Sequence, residues 1–169
     1  NYILQLHKML YSHMNNPFAG RTKTVQNYIS ATYHDGQTEV LFTPMAPFET
    51  PEALDRICGE YNRVIGNFEV EPLIVIPVFV HDFLCIHPFN DGNGRMSRLL
   101  TTLLLYRSGF YVGKYISLEA KIAENKELYY ESLGKAQAGW HEGTEDVIPF
   151  IKYLLGTILA AYKDFEERF

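Results

Sequence analysis

The reading of this chain turns on His87-Pro88-Phe89-Asn90-Asp91-Gly92-Asn93-Gly94-Arg95. These nine residues set an imidazole, a carboxylate, two glycines and a guanidinium between two strongly apolar segments. Such a cluster is poor core material, and a loop held between rigid helices is where chemistry is usually mounted. The segment before it, from Leu73, is β-branched and could be a buried strand. Its length of about fifteen residues favours a buried helix. Pro72 opens that segment, and Pro77 implies a kink or a late first turn. After the cluster, Met96, Leu99, Leu100, Leu103, Leu104 and Tyr106 recur at helical spacing from Arg95 to Ser108, and Gly109 closes the helix.

Working outward, residues 2–14 carry Ile3, Leu4, Leu6, Met9, Leu10 and Met14 at helical spacing, ended by Asn15-Asn16-Pro17 and Gly20. Two β-prone runs, Tyr28 to Tyr33 and Thr38 to Phe42, flank His34-Asp35-Gly36-Gln37, and Asp-Gly is a strong hairpin signal. Two strands alone are marginal in water, so the hairpin must lie on the helical body or on a partner. Thr50-Pro51-Glu52 reads as a helix start with Thr50 as the capping hydroxyl, and Gly66-Asn67 as its end. Further helices are expected from Ser117 to about Gly139 and from Asp146 into the charged tail 163–168. The expected fold class is all-α: a bundle of about six helices with one small β-hairpin.

Composition bounds the function. The chain has 169 residues, of which 47% are hydrophobic and 21% charged, which suits a single soluble domain spanning 1–169. The net charge of −5 argues against a nucleic-acid-binding surface. The longest apolar run, Leu73 to Val80, is broken by Pro77 and stopped by His81-Asp82, short of the roughly 20 residues a membrane span needs. Cys58 and Cys85 form no CxxC pair and are expected as buried free thiols in a reducing compartment. A soluble cytoplasmic protein is the expectation. The chain begins at Asn1, without Met and already in a helical pattern, and is read as a piece of a longer protein.

The residue types of the central stretch suit phosphate chemistry. Glycines allow positive φ and close approach of a ligand to the backbone. Successive amides of Gly92, Asn93 and Gly94 at a helix N-terminus make an anion-binding concavity. Arg95 in the first turn can offer a forked pair of donors, and Arg98 three residues on shares that face of the helix. Asp91 beside such a cradle is a typical Mg²⁺ ligand. His87 is the one group here whose reference pKa lies near neutrality, and it is the natural general base for a hydroxyl nucleophile. Phe89 is expected to point into the core and anchor the loop. A calcium loop would need a terminal Glu where Arg95, Met96 and Arg98 stand. A zinc site with His81, Asp82 and His87 lacks any recognised ligand spacing.

His87 to Arg95, followed by Arg98, resembles the HPFx(D/E)GNGRxxR signature of the Fic family, with every position matched. Arg21-Thr22 and the hairpin after it resemble the family's flap. The resemblance implies transfer of AMP from ATP to a Ser, Thr or Tyr hydroxyl of a target protein, with release of pyrophosphate. It implies His87 as catalytic base and Asp91 as the ligand of Mg²⁺ (or Mn²⁺). Gly92, Asn93 and Gly94 would cradle the phosphates, with the Asn93 side chain helping. Arg95 would bind the β/γ end of the nucleotide, and Arg98 would add a further positive charge to the site. Tyr129 and Tyr130 resemble a pair lining the adenine pocket, and from sequence alone they read equally well as core aromatics. The target would dock on the hairpin flap, near residues 31–44. Related chemistries stay open: transfer of UMP, phosphocholine or a phosphoryl group, removal of AMP, or a non-catalytic interaction domain. The phosphoryl-transferring toxins carry Lys at the second motif glycine, which is Gly94 here. An inhibitory helix of pattern [S/T]xxxE[G/N] is not expected within these residues, because the nearest strings have Ala120 and Ala138 at the hydroxyl position. It is expected in a segment before Asn1 or on a separate chain.

Overall fold

Apolar periodicity becomes helix over most of the chain. The computed structural model describes residues 2–168. Its elements in order are α1 (Tyr2–Leu10), β1 (Ile29–Thr32), β2 (Thr38–Phe42), α2 (Thr50–Gly66), α3 (Pro72–Ile86), α4 (Asn93–Arg107), α5 (Leu118–Glu124), α6 (Lys126–Gln137) and α7 (Ile148–Arg168). Single 3-10 turns lie at Val112–Lys114 and Trp140–Glu142. The described residues thus form an all-α body with one two-stranded antiparallel hairpin.

The centre of the body is α3, which packs against α2, α4, α6 and α7. It is a helix, not a strand. Ile76, Phe79, Val80, Phe83, Leu84, Cys85 and Ile86 are all buried, and a helix apolar nearly all round belongs in the middle of a core. Pro77 lies inside α3 near its start. There it removes one bond, to the carbonyl of Leu73, from a helix otherwise held by packing on several sides.

Other elements differ from the sequence expectation for identifiable reasons. The first helix stops at Leu10, and its buried stripe is Ile3, His7 and Tyr11, while Met9 and Met14 are exposed. Two polar aromatics have displaced apolar residues from the inner face. Thr50 does not cap α2: the N-cap is Glu49, and the buried Thr50 hydroxyl donates back to the Ala46 carbonyl at 2.9 Å. The expected helix from Ser117 to about Gly139 is two helices, broken at Asn125 with φ −124° and ψ 44°, which makes seven helices among the described residues where about six were expected. Ser117 does cap α5, its hydroxyl accepting the Ala120 N–H at 3.1 Å.

The hairpin forms where Asp35-Gly36 predicts. Gly36 takes φ +82°, and the Asp35 carboxylate accepts the Gln37 N–H at 3.0 Å. Thr32 pairs with Thr38, and a register irregularity falls between Ile29 and Ser30. Both cysteines are free, but only Cys85 is buried; Cys58 is half-exposed at the edge of the core. Burial pushes the Cys85 thiol far up and keeps it protonated. Among the described residues, no helix is long and apolar enough to cross a membrane.

Candidate active site

His87 is the C-cap of α3 and adopts a left-handed conformation, φ 50° and ψ 61°. A non-glycine residue there costs on the order of 1–3 kcal/mol and persists only when its surroundings hold it. The His87 N–H donates to the Phe83 carbonyl at 2.9 Å. Its ring Nδ1 lies 3.3 Å from the Leu84 carbonyl. A carbonyl only accepts, so Nδ1 carries the hydrogen and the neutral ring keeps its free lone pair on Nε2. Burial pulls the His87 pKa down to about 4, helped by the charge of Lys23 and opposed by the Leu84 bond.

The turn after His87 is built around Phe89, which is fully buried and stacks on the His7 ring at 3.7 Å with 4° between planes. The Asn93 side chain closes the turn. Its Oδ1 accepts the Phe89 N–H at 2.9 Å, and its Nδ2 donates to the Phe89 carbonyl at 2.7 Å. That amide is therefore committed to the loop, and what Asn93 leaves for an anion is its backbone N–H at the start of α4. Gly92, the N-cap of α4, has φ +84°, and a Cβ there would lie 2.8 Å from the Tyr11 hydroxyl.

Asp91 and Arg95 gather on the α1 side. Asp91 Oδ1 accepts the Gly92 N–H at 2.7 Å, while Oδ2 accepts from the Tyr11 hydroxyl and from Arg95 Nη2, the latter at 3.0 Å. The Arg95 guanidinium lies over the Tyr11 ring, 4.7 Å from its centroid. The Tyr11 bond, the Gly92 N–H and Arg95 hold the Asp91 carboxyl below the usual range. Burial and Asp91 push the Tyr11 hydroxyl up to about 12. Gly20 N–H donates to His7 Nδ1 at 2.8 Å, so His7 Nε2 is the protonated nitrogen and donates to the Asp91 carbonyl at 3.0 Å.

Against α4, at Gly94 and Arg98, lies a cavity of about 600 Å³. His87, Gly94, Arg98, Tyr129 and Tyr130 line it, with Leu41 and Phe42 of β2 and the following Thr43. Arg98 Nε donates to Glu119 at 3.0 Å, which fixes the guanidinium at the cavity wall. Tyr129 serves both as core and as wall: it is buried in edge contact with Phe150 and Tyr153, and its neighbour Tyr130 is exposed. The hairpin is fastened to the far wall. His141 Nε2 donates to the Thr43 carbonyl at 2.7 Å, and Phe42 packs on Trp140 and His141. Thus the sequence-predicted residues divide: His87, Gly94, Arg98, Tyr129 and Tyr130 line the cavity, and Asp91 and Arg95 meet against Tyr11, outside its lining.

Four residues near the motif escaped the sequence reading. His7 on α1 and Tyr11 just after it support Asp91, and their signal was available: with Ile3 they repeat every fourth residue. Lys23 and Asn27 grip the carbonyls around Pro88 from the segment before β1, and nothing local marks them.

The family model for the Fic/DOC family matches residues 1–105. The chain belongs to the Fic/DOC family. Among relatives of this Fic protein, the protein adenylyltransferase fic-1 of Caenorhabditis elegans is 30% identical over 90% of this chain and 25% of its own length. A Fido domain-containing protein of Dictyostelium discoideum is 32% identical over 75% of this chain and 87% of its own. Solved Fic structures share the fold. A Fic family protein from Desulfovibrio desulfuricans superposes with a TM-score of 0.73 at 25% identity, over 98% of this chain and 46% of that one. Fic-1 from C. elegans gives 0.72 at 26% identity, over 98% and 42%. The chain thus spans about a quarter of the length of the curated adenylyltransferase fic-1 that it resembles.

Proposed function

We propose that this Fic domain transfers AMP from ATP to a hydroxyl group of a target protein. The observation that carries the reading is the placement of His87: a neutral imidazole with Nε2 as its free base nitrogen, on the wall of a cavity shared with Arg98 and the N-terminus of α4. The hydroxyl oxygen forms a bond to the α-phosphorus, the bond from that phosphorus to the bridging oxygen breaks, and pyrophosphate leaves. His87 Nε2 takes the hydroxyl proton. A general base contributes about 10²–10⁴-fold when its pKa lies near the operating pH; with His87 held down to about 4 its share is smaller, and positioning with charge neutralisation supplies most of the acceleration. The start of α4 offers backbone N–H groups to the phosphates, and Arg98 adds a fixed positive charge.

The donor set fits Mg²⁺. No group of three or more His, Cys, Asp or Glu side chains converges among the described residues, so no all-protein cage for a metal is present there. Mg²⁺ bound alongside substrate phosphates needs only one or two carboxylates. Asp91 is the residue that would hold it, because its side chain is 67% exposed and kept ionised by Tyr11, Gly92 and Arg95. The metal when bound supplies charge neutralisation on the phosphates. Tyr129 and Tyr130 form the side of the cavity suited to a nucleobase, and the hairpin, opposite them, is the surface on which a target segment would lie as an added strand.

The reading is tested by incubating the chain with Mg²⁺, candidate target protein and ATP labelled on the α-phosphate. Label on protein that disappears in His87→Ala is the expected result. Label arriving only from γ-labelled ATP would replace the proposal with phosphoryl transfer.

A further inference from the structure

Lys23 is 2% exposed, yet it has no ion pair among the described residues. Burying an ammonium group without a counter-charge is costly, and a hydrocarbon of the same length would fill the space more cheaply. The cost is visible as a pKa pulled down to about 8 by burial, which still leaves the amine charged at neutral pH. Its partners are oxygens of the catalytic loop. Nζ donates to the Ile86 carbonyl at 3.0 Å and to Asn27 Oδ1 at 2.8 Å, and its backbone N–H donates to the Pro88 carbonyl at 2.8 Å. Asn27 Nδ2 then bridges the His87 carbonyl at 3.2 Å and the Phe89 carbonyl at 3.0 Å. Four consecutive carbonyls, from Ile86 to Phe89, are thus gripped from one short segment.

Those carbonyls need gripping. They follow the C-terminus of α3, where the last helical carbonyls have no intrahelical donor and the dipole end is negative. Pro88 has no N–H to offer. Between them sits His87 in its strained left-handed conformation. A cation is the donor best matched to a helix C-terminus, and Lys23 delivers one to the residue immediately before His87.

We propose that Lys23 and Asn27 are positioning residues for the His87 base, holding the backbone from Ile86 to Phe89 so that the His87 ring stays fixed on the cavity wall. Neither side chain touches substrate: both act through the carbonyls on either side of His87. The proposal rests on the reading of His87 as the base, and extends it to the part of the fold that keeps the base in place.

The test uses the full chain with Lys23→Met, Lys23→Arg and Asn27→Ala, each checked for folding by thermal melting. In the AMP-transfer assay Lys23→Met is expected to lower kcat by about 10²-fold, the scale of an ångström of misplacement, with KM for ATP unchanged. Lys23→Arg restores most of the rate. Long-range ¹H–¹⁵N spectra of the imidazole give a readout independent of turnover: a single Nδ1–H tautomer for His87 in the parent chain, and an averaged ring in Lys23→Met. A folded Lys23→Met with the parent's kcat and the parent's ring spectrum overturns the proposal, as does a variant that raises only KM. Should the parent chain transfer no label, the adenylyltransferase reading falls, and the ring spectra alone decide the role of Lys23 and Asn27.

Discussion

At the scale of the residue, the consequential number is the depressed pKa of His87. A free histidine is half protonated near pH 6.5, whereas burial holds His87 neutral down to about pH 4. As the proposed base, His87 would therefore be available throughout the physiological range. The acid limb of kcat/KM attributable to His87 is expected near pH 4; an inflection near 6.5 would show that the ring is solvated in the working enzyme. The same shift acts on stability. Between pH 6.5 and about 4 the unfolded chain takes up a proton at His87 that the folded chain refuses, so stability falls as pH is lowered through that window. The loss amounts to about 3 kcal/mol. Urea midpoints at pH 7 and pH 4.5 measure it, and His87→Ala should flatten the difference relative to the parent chain.

At the scale of the element, the motif loop works as a plug and a clasp. Phe89 is the plug: it stacks on His7, packs near Phe83 and is fully buried. Phe89→Ala should cost about 3–5 kcal/mol, read from chemical denaturation, because the cavity opens beneath a loop already strained at His87. Asn93 is the clasp, and its two hydrogen bonds to the Phe89 backbone explain how a motif position can matter without its side chain facing a ligand. Most of this element layout was legible in the sequence. Apolar spacing gave the helices, Asp35-Gly36 gave the hairpin, and the length of the run from Leu73 gave α3 as helix over strand. What was illegible has one physical origin. The contacts of His7 and Tyr11 with Asp91 cross 80 or more positions, and those of Lys23 and Asn27 with the loop cross about 60. No local period encodes such pairings. The break at Asn125 was missed for the opposite reason, since apolar spacing continues across it and only the backbone departs from the helix.

At the scale of the whole molecule, the fold mounts two surfaces around one helix junction. The α1 flank carries Asp91, Arg95, Tyr11 and His7, and the hairpin flank carries the cavity with His87 and Arg98. The α1 flank is braced by His7 and Tyr11, which precede Asp91 by 80 or more positions, whereas the cavity is closed by α6 and the Trp140–Glu142 turn, which follow it.

The fastening of β2 to the Trp140–Glu142 turn reaches further than the architecture of a wall. Because Leu41, Phe42 and Thr43 border the cavity and are tied across it by His141, a protein chain laid along β2 would cover the cavity's mouth. On the proposed reading, traffic through the site would have a direction: nucleotide would enter before the target, and the modified target would depart before the mouth reopened. Initial-rate kinetics should show a compulsory order. A target peptide lacking its hydroxyl should inhibit uncompetitively against ATP, and a mixed pattern would mean that the mouth stays open beside a docked target.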